Sequence, residues 1–297
     1  ITAGQAGLAN TILGTFSPNY FGTQTINSTG YKEVDLTDNK ASSFKIDVAA
    51  HYRIDGDSEL IFNSKIGSGN TVLHATNRNM LKNFMLQQHK VEYRSPKLTV
   101  RAYTSVEDSG NTHDMSALGA RIANAQPGGI AGWFGTYLNA YFGRIFGQFD
   151  PNPLQGFAKV LNTAAAGWDM NRALKYYGAY DLDYPVHVAA RNAADANMLA
   201  PGSQAFKTAY LNSTTTPIAN GGAAIIDNSK SNSFEFNYNL GDLVPSFDLI
   251  VGAQYRDYIL RSGGSLFTDY DAPIKFNELG VYTQVQKDLF DGALKLT

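Results

Sequence analysis

Residue types that could do chemistry are present in this chain, but few stand at the spacing chemistry needs. Five histidines, His51, His74, His89, His113 and His187, are scattered, with no His-Glu-x-x-His pair to set two imidazoles on one helix face for zinc. Cysteine is absent, which removes thiolate metal sites, disulfides and cysteine nucleophiles. Gly67-Ser68-Gly69 lacks the lysine of a phosphate-cradling loop, and no Gly-x-Ser-x-Gly elbow occurs. Two carboxylate pairs, Asp181/Asp183 and Asp269/Asp271, could offer oxygen ligands to calcium, though neither completes an EF-hand loop and aspartate beside tyrosine and proline also makes turns. Trp133, Trp168, Tyr176, Tyr177 and Tyr180 form an aromatic group that could stack on a sugar or peptide, or pack helices together. A net charge of −2 provides no basic field for nucleic acid. An enzyme is the least supported class, and no cofactor is expected.

The elements that would position these residues are mainly strands. From Ser43 to Ile54, Phe44, Ile46, Val48, Ala50, Tyr52 and Ile54 share one face, and Lys45, Asp47, His51 and Arg53 the other. That period of two predicts a strand with one apolar and one polar side. Asp55-Gly56-Asp57-Ser58 predicts a tight turn, and Glu59 to Gly67 a returning strand. Lys82 to Arg94 alternates less cleanly, because Gln87, Gln88 and His89 interrupt both faces. Further alternation runs through Leu98–Tyr103, Phe234–Leu240, Phe247–Arg256 and Glu278–Gln286, with a last strand opening at Ala293. About eight strands are readable.

Links of two lengths alternate. Asp55–Ser58, Ser95–Lys97, Gly241–Pro245 and Asp288–Gly292 are short, whereas Ser68–Met80, Glu107–Ser231 and Arg261–Ile274 are long. Transmembrane β-barrels have this asymmetry, with short periplasmic turns and longer outer loops. No run of about 18 apolar residues would make a spanning helix, and spanning strands escape that test. Polar faces this charged suit a wet lumen or, in an ordinary amphipathic sheet, solvent. The expected fold is an all-β antiparallel transmembrane barrel segment: residues 1–42 lead in, 43–106 and 232–297 form strands, and 107–231 make a long, partly helical extracellular insertion. Within the insertion, helices are predicted in Pro151–Tyr177, His187–Leu199 and Ser203–Leu211, folding over one end of the barrel.

The run Tyr31-Lys32-Glu33-Val34-Asp35-Leu36-Thr37-Asp38-Asn39-Lys40-Ala41-Ser42-Ser43, leading into His51-Tyr52-Arg53, resembles TonB-dependent outer-membrane receptors that carry a carboxypeptidase-regulatory-like N-terminal domain. Leu266-Phe267-Thr268-Asp269-Tyr270-Asp271-Ala272-Pro273-Ile274, continuing to Asn277-Glu278 and Gly280-Val281-Tyr282-Thr283-Gln284, resembles them as well. So do Ala190-Arg191-Asn192-Ala193-Ala194-Asp195 and Pro201-Gly202-Ser203. The similarity extends from Tyr31 to Thr297.

The resemblance implies a barrel of roughly 22 strands closed by a plug. It also implies energised import of an iron chelate, cobalamin, glycan or peptide, a TonB complex acting through the plug, a possible surface lipoprotein lid and outer-membrane lipid around the wall. No plug, TonB box, signal peptide or aromatic-ended last strand is legible, so the chain is expected to be an internal barrel segment. A passive porin-like small barrel and a surface binding or adhesion protein are the alternatives.

Overall fold

Alternation does form strands, and the strands form one sheet. The structure is a computed structural model that describes residues 26–74, 77–147, 151–152, 155, 185–241, 244, 247–290 and 294–297. The strands are β1 (Ser42–Arg53), β2 (Glu59–His74), β3 (Arg78–Arg94), β4 (Leu98–Asp108), the two-residue β5 (His113–Asp114), β6 (Lys230–Asn239), β7 (Asp248–Leu260), β8 (Ile274–Leu289) and β9 (Leu294–Leu296). The helices are α1 (Met115–Asn124), α2 (Gly129–Gly147), α3 (Pro185–Asp195) and α4 (Gln204–Thr215). Neighbouring strands are antiparallel in the order β1-β2-β3-β4-β6-β7-β8-β9, with β5 on β3, and this open path runs from β1 to β9. Among the described residues no helix is long and apolar enough to cross a membrane, a statement that leaves strands untouched.

The chain divides into a sheet unit, Leu36–Leu118 with Leu211–Thr297, and a helical unit, Ile1–Asp35 with Gly119–Tyr210. The expected insertion at 107–231 is therefore wider than the helical unit. Residues on both its flanks belong with the sheet, and the lead-in residues before Leu36 belong with the helices.

One predicted link is corrected. Ser68–Met80 is not a long loop, because β2 and β3 continue as a ribbon until only residues 75–77 join them. Gly67, Ser68, Gly69 and Asn70 read as loop composition, yet their backbone groups are ladder-paired, with a register shift between Gly69 and Thr71. The remaining long links, after β4 and after β7, still lie at the end of the sheet opposite the short turns. At that short end, the Asp55 carboxylate accepts the N–H groups of Asp57 and Ser58 at 2.9 and 2.7 Å. This is the side-chain turn that aspartate favours.

Register fixes what each face carries. On one face, Tyr52, Leu60, Tyr93, Val100, Phe236, Ala253 and Val281 lie in one row, and Ala50, Phe62, Val91, Ala102, Phe234, Tyr255 and Leu279 in the next. Among the described residues no second sheet lies over this face: Phe44 is 62% exposed, Leu279 75% and Val281 78%. A polar belt follows, from Ser64 through His89, Thr104, Asn232 and Asp257 to Asn277. The belt explains the broken alternation of β3, since His89 belongs to it. Its members bond sideways: Ser64 and His89 share a hydrogen bond of 2.9 Å, the Thr104 hydroxyl donates to Asn232 at 3.0 Å, and the Asn232 amide donates to Asp257 at 3.3 Å.

On the opposite face Gly252 leaves a gap into which Tyr282 leans, its hydroxyl donating to Asn237 across the glycine. A Cβ at position 252 would enter the Tyr282 ring, so the missing side chain is what admits the aromatic. Gly252→Ala is therefore expected to destabilise the intact protein by about 1–3 kcal/mol through overpacking, measured by urea unfolding. Adding Tyr282→Ala should remove most of the penalty; an equal penalty in both backgrounds would contradict the packing argument.

Candidate functional site

The face opposite the apolar rows carries a ladder of charge. His51 lies 3.4 Å from Glu59, Glu59 3.7 Å from Arg94, and Arg94 2.5 Å from Glu92. Arg101 then bridges Glu92 at 3.1 Å and Glu235 at 3.0 Å, and Glu235 also accepts from Tyr103 at 3.2 Å and Gln254 at 3.0 Å. The chain of contacts thus runs from β1 to β7 across two neighbouring rows of the strand register. Lys90 adds a third cation to Glu92 at 2.8 Å.

Glu92 is the centre, with 0% of its side chain exposed. A buried charge stripped of a partner costs about 3–5 kcal/mol, whereas an exposed pair contributes about 0–1 kcal/mol. By that measure Glu92 and its three cations outweigh the exposed Lys65–Asp47 pair at 3.1 Å on the same face. Above the ladder, Lys45, Asp47, Lys65, Leu86, Gln88 and Ser105 line a groove of about 430 Å³. Such a wall can hydrogen-bond water, a polar ligand or a polar protein surface. Among the described residues, no group of three His, Asp or Glu side chains is placed to hold a metal ion.

Asp269, one of the proposed calcium ligands, has another use. Its carboxylate accepts the Ser262 hydroxyl and the N–H groups of Ser262, Gly263 and Gly264, the last two at 3.1 and 2.9 Å. A carboxylate has about four acceptor sites, so these donors occupy them, and Asp269 is a loop organiser rather than a cation ligand. Gly263 and Gly264 have φ of 55° and 81°, the left-handed backbone that turns their N–H groups inward. Asp271 is exposed. Asp181 and Asp183 lie outside the described residues.

In the helical unit, Trp133, Tyr137 and Tyr141 recur every fourth residue along α2 and stack successively, with ring centroids 5.3 and 6.2 Å apart. Trp133 is 2% exposed, its indole N–H donates to Asp195 at 2.7 Å, and the Arg191 guanidinium lies over its ring. Of the two readings of the aromatic group, packing describes Trp133. Trp168, Tyr176, Tyr177 and Tyr180 lie outside the described residues. The small buried Ala190 and Ala194 let α3 approach α2, and His187 on that same face meets the Tyr137 hydroxyl. Burial pushes the Tyr137 phenol up, with Arg191 pulling the other way. The lead-in segment is fastened here too. Thr29 donates to Asp195 at 3.0 Å, Arg191 donates to the Asn27 carbonyl at 3.1 Å, and Tyr31 meets Phe206 edge-on.

Sequence reasoning singled out neither Glu92 nor Arg101, because a charged row becomes visible only after cross-strand partners are known. Compared with known proteins, the chain matches no family model and no curated protein.

The Asp269 loop has a pH signature. The Ser262 hydroxyl, then the backbone N–H groups, hold its carboxyl well below the usual carboxylate range. A depressed folded-state pKa gives stability that is full above the unfolded value, near 3.9, and is lost as pH falls toward the folded one. The melting temperature of the wild type should therefore drop more steeply below about pH 4 than that of Asp269→Asn. Parallel pH profiles would show that the carboxylate contributes nothing.

Proposed function

We propose that this chain is barrel wall and outer loop of a TonB-dependent outer-membrane transporter, importing a nutrient rather than catalysing a reaction. The observation that carries the reading is the pairing of two unlike faces on one sheet. Apolar rows lie uncovered on one side, and a buried, cross-linked charge ladder lies on the other. Hydrocarbon suits the first and a wet lumen the second. In hydrocarbon every backbone group needs a partner, so the free edges at β1 and at the β8–β9 end pair with further strands of a larger, closed barrel. The long links face outward and the short turns face the periplasm.

The resemblance of Tyr31–Thr297 to this receptor class supplies the energised mechanism. Substrate binds at the outer side, and a plug in the lumen is pulled by the TonB complex. The charged inner wall gives that plug and passing solute polar partners. A surface lipoprotein lid is a further expected partner. Iron chelates, cobalamin, glycans and peptides are the substrate classes to test.

The test uses the intact protein in its own cells. Outer and inner membranes are separated, and uptake of one compound from each substrate class is followed with and without a protonophore. Recovery in the outer membrane, detergent-dependent extraction and protonophore-sensitive uptake are expected. Uptake indifferent to de-energisation would favour a passive porin, binding without uptake an adhesin, and recovery as a soluble periplasmic protein would remove the barrel altogether.

A further inference from the structure

On the charged face, the row four residues from Glu92 toward the long links has a different make-up. Register places Phe276, Tyr258, Ser231, Ser105 and Gln88 side by side on neighbouring strands. At one end Tyr258 and Phe276 stack, with ring centroids 4.6 Å apart and planes inclined by 17°. That separation matches the strand spacing of about 4.8 Å, so the rings stack sideways and the second face of Tyr258 turns toward β6. Ser231 stands there, too short to cover it. The Tyr258 hydroxyl donates to Glu278 at 3.4 Å, which tethers the ring.

At its other end the row opens into the groove of about 430 Å³, where Gly67 contributes no side chain. A Cβ at Gly67 would meet only the Lys45 Cγ at 3.9 Å and the Leu86 carbonyl at 4.0 Å, so packing does not demand a glycine there. Charge in this row is confined to the far rim, where Lys65 pairs with Asp47 at 3.1 Å and Lys45 lines the same groove. Between rim and rings the polar groups of the row are neutral. They are the Gln88 amide, which donates to the Ser105 hydroxyl at 3.4 Å, and the Ser231 hydroxyl. From Tyr258 to Lys65 is four strand spacings, about 19 Å.

We infer that this row is a wall subsite for a neutral oligosaccharide chain. The inference rests on the reading of this face as lumen, and it selects one substrate class from those the transport reading leaves open. A pyranose ring has an apolar C–H face and a rim of hydroxyls. It is therefore matched by an aromatic surface beside neutral donors and acceptors, which Tyr258, Ser231, Ser105 and Gln88 supply together. A sugar unit is about as long as one strand spacing, so the row accommodates about four units. The other classes fit the row less well. A peptide backbone adds to unpaired N–H and C=O groups at a sheet edge, whereas here those groups are in ladder pairs. An anionic iron chelate needs several free cations, and Lys65 is matched by Asp47.

The intact protein is purified in detergent and titrated calorimetrically with maltohexaose, cellohexaose, mannohexaose and xylohexaose, and with tetraglycine, cyanocobalamin and ferric citrate for comparison. At least one hexasaccharide should bind more tightly than the three comparison compounds. Tyr258→Ala should weaken that binding roughly five- to tenfold, the loss of one aromatic contact. Tyr258→Phe should keep it, which separates the ring from damage to the fold. Gly67→Leu should weaken the hexasaccharide but not the matching trisaccharide, which the ring end alone can seat. Hexasaccharides that fail to bind, or that bind Tyr258→Ala as tightly as wild type, overturn the assignment. So does tighter binding of tetraglycine, cyanocobalamin or ferric citrate that Tyr258→Ala weakens. Those results leave the membrane reading standing, whereas recovery of the protein from cells without detergent overturns both.

Discussion

An antiparallel sheet with one apolar face must place something apolar against that face. Here Phe44, Phe62, Val91, Phe234, Leu279 and Val281 remain exposed along strands joined in one antiparallel sheet. Burying each such side chain contributes about 1.5–3 kcal/mol, and leaving contiguous rows of them in water would forgo that repeatedly. In soluble sandwiches a second sheet settles the matter. No described element does so for these rows, and that constraint gives the opposite face its meaning.

The opposite face is the less expected half. Charged residues on a solvated face usually pair weakly and locally. Glu92 is instead fully enclosed among Lys90, Arg94 and Arg101, and Arg101 passes the connection on to Glu235. A ladder crossing so many strands ties their register together, because slipping any strand by one residue would move its charge to the apolar side. Sheet geometry and polar chemistry therefore reinforce one another, and the same register that aligns the ladder also aligns the belt.

Much of the sheet was legible from residue alternation. β1 followed directly from Phe44 to Ile54, and the helix expected at Ser203–Leu211 is present as α4, with the Ser203 hydroxyl accepting from the Phe206 N–H at 3.2 Å. The missed parts have physical reasons. Gly67-Ser68-Gly69-Asn70 has turn composition, but cross-strand pairing holds it extended. The interior of helix α2 contains Gly132, Gly135 and Gly143, each costing about 1 kcal/mol of helix propensity; stacking of Trp133, Tyr137 and Tyr141 offsets that, and stacking is not a sequence signal. Asp269 resembled a cation ligand because its partners, Ser262 to Gly264, precede it by several residues in a loop whose shape no periodicity encodes.

The 297 residues contain no cysteine, so single labels can be read on the two-faced sheet in the intact, membrane-inserted protein once any cysteine outside them is replaced by serine. Single cysteines placed in turn from Phe44 to Ile54 can be spin-labelled and probed with oxygen and a water-soluble nickel chelate. Labels at 44, 46, 48, 50 and 52 should collide mainly with oxygen, and those at 45, 47, 51 and 53 mainly with nickel, alternating with a period of two. Equal nickel access on both sets would place water on both faces and contradict the division on which the proposed transport function depends.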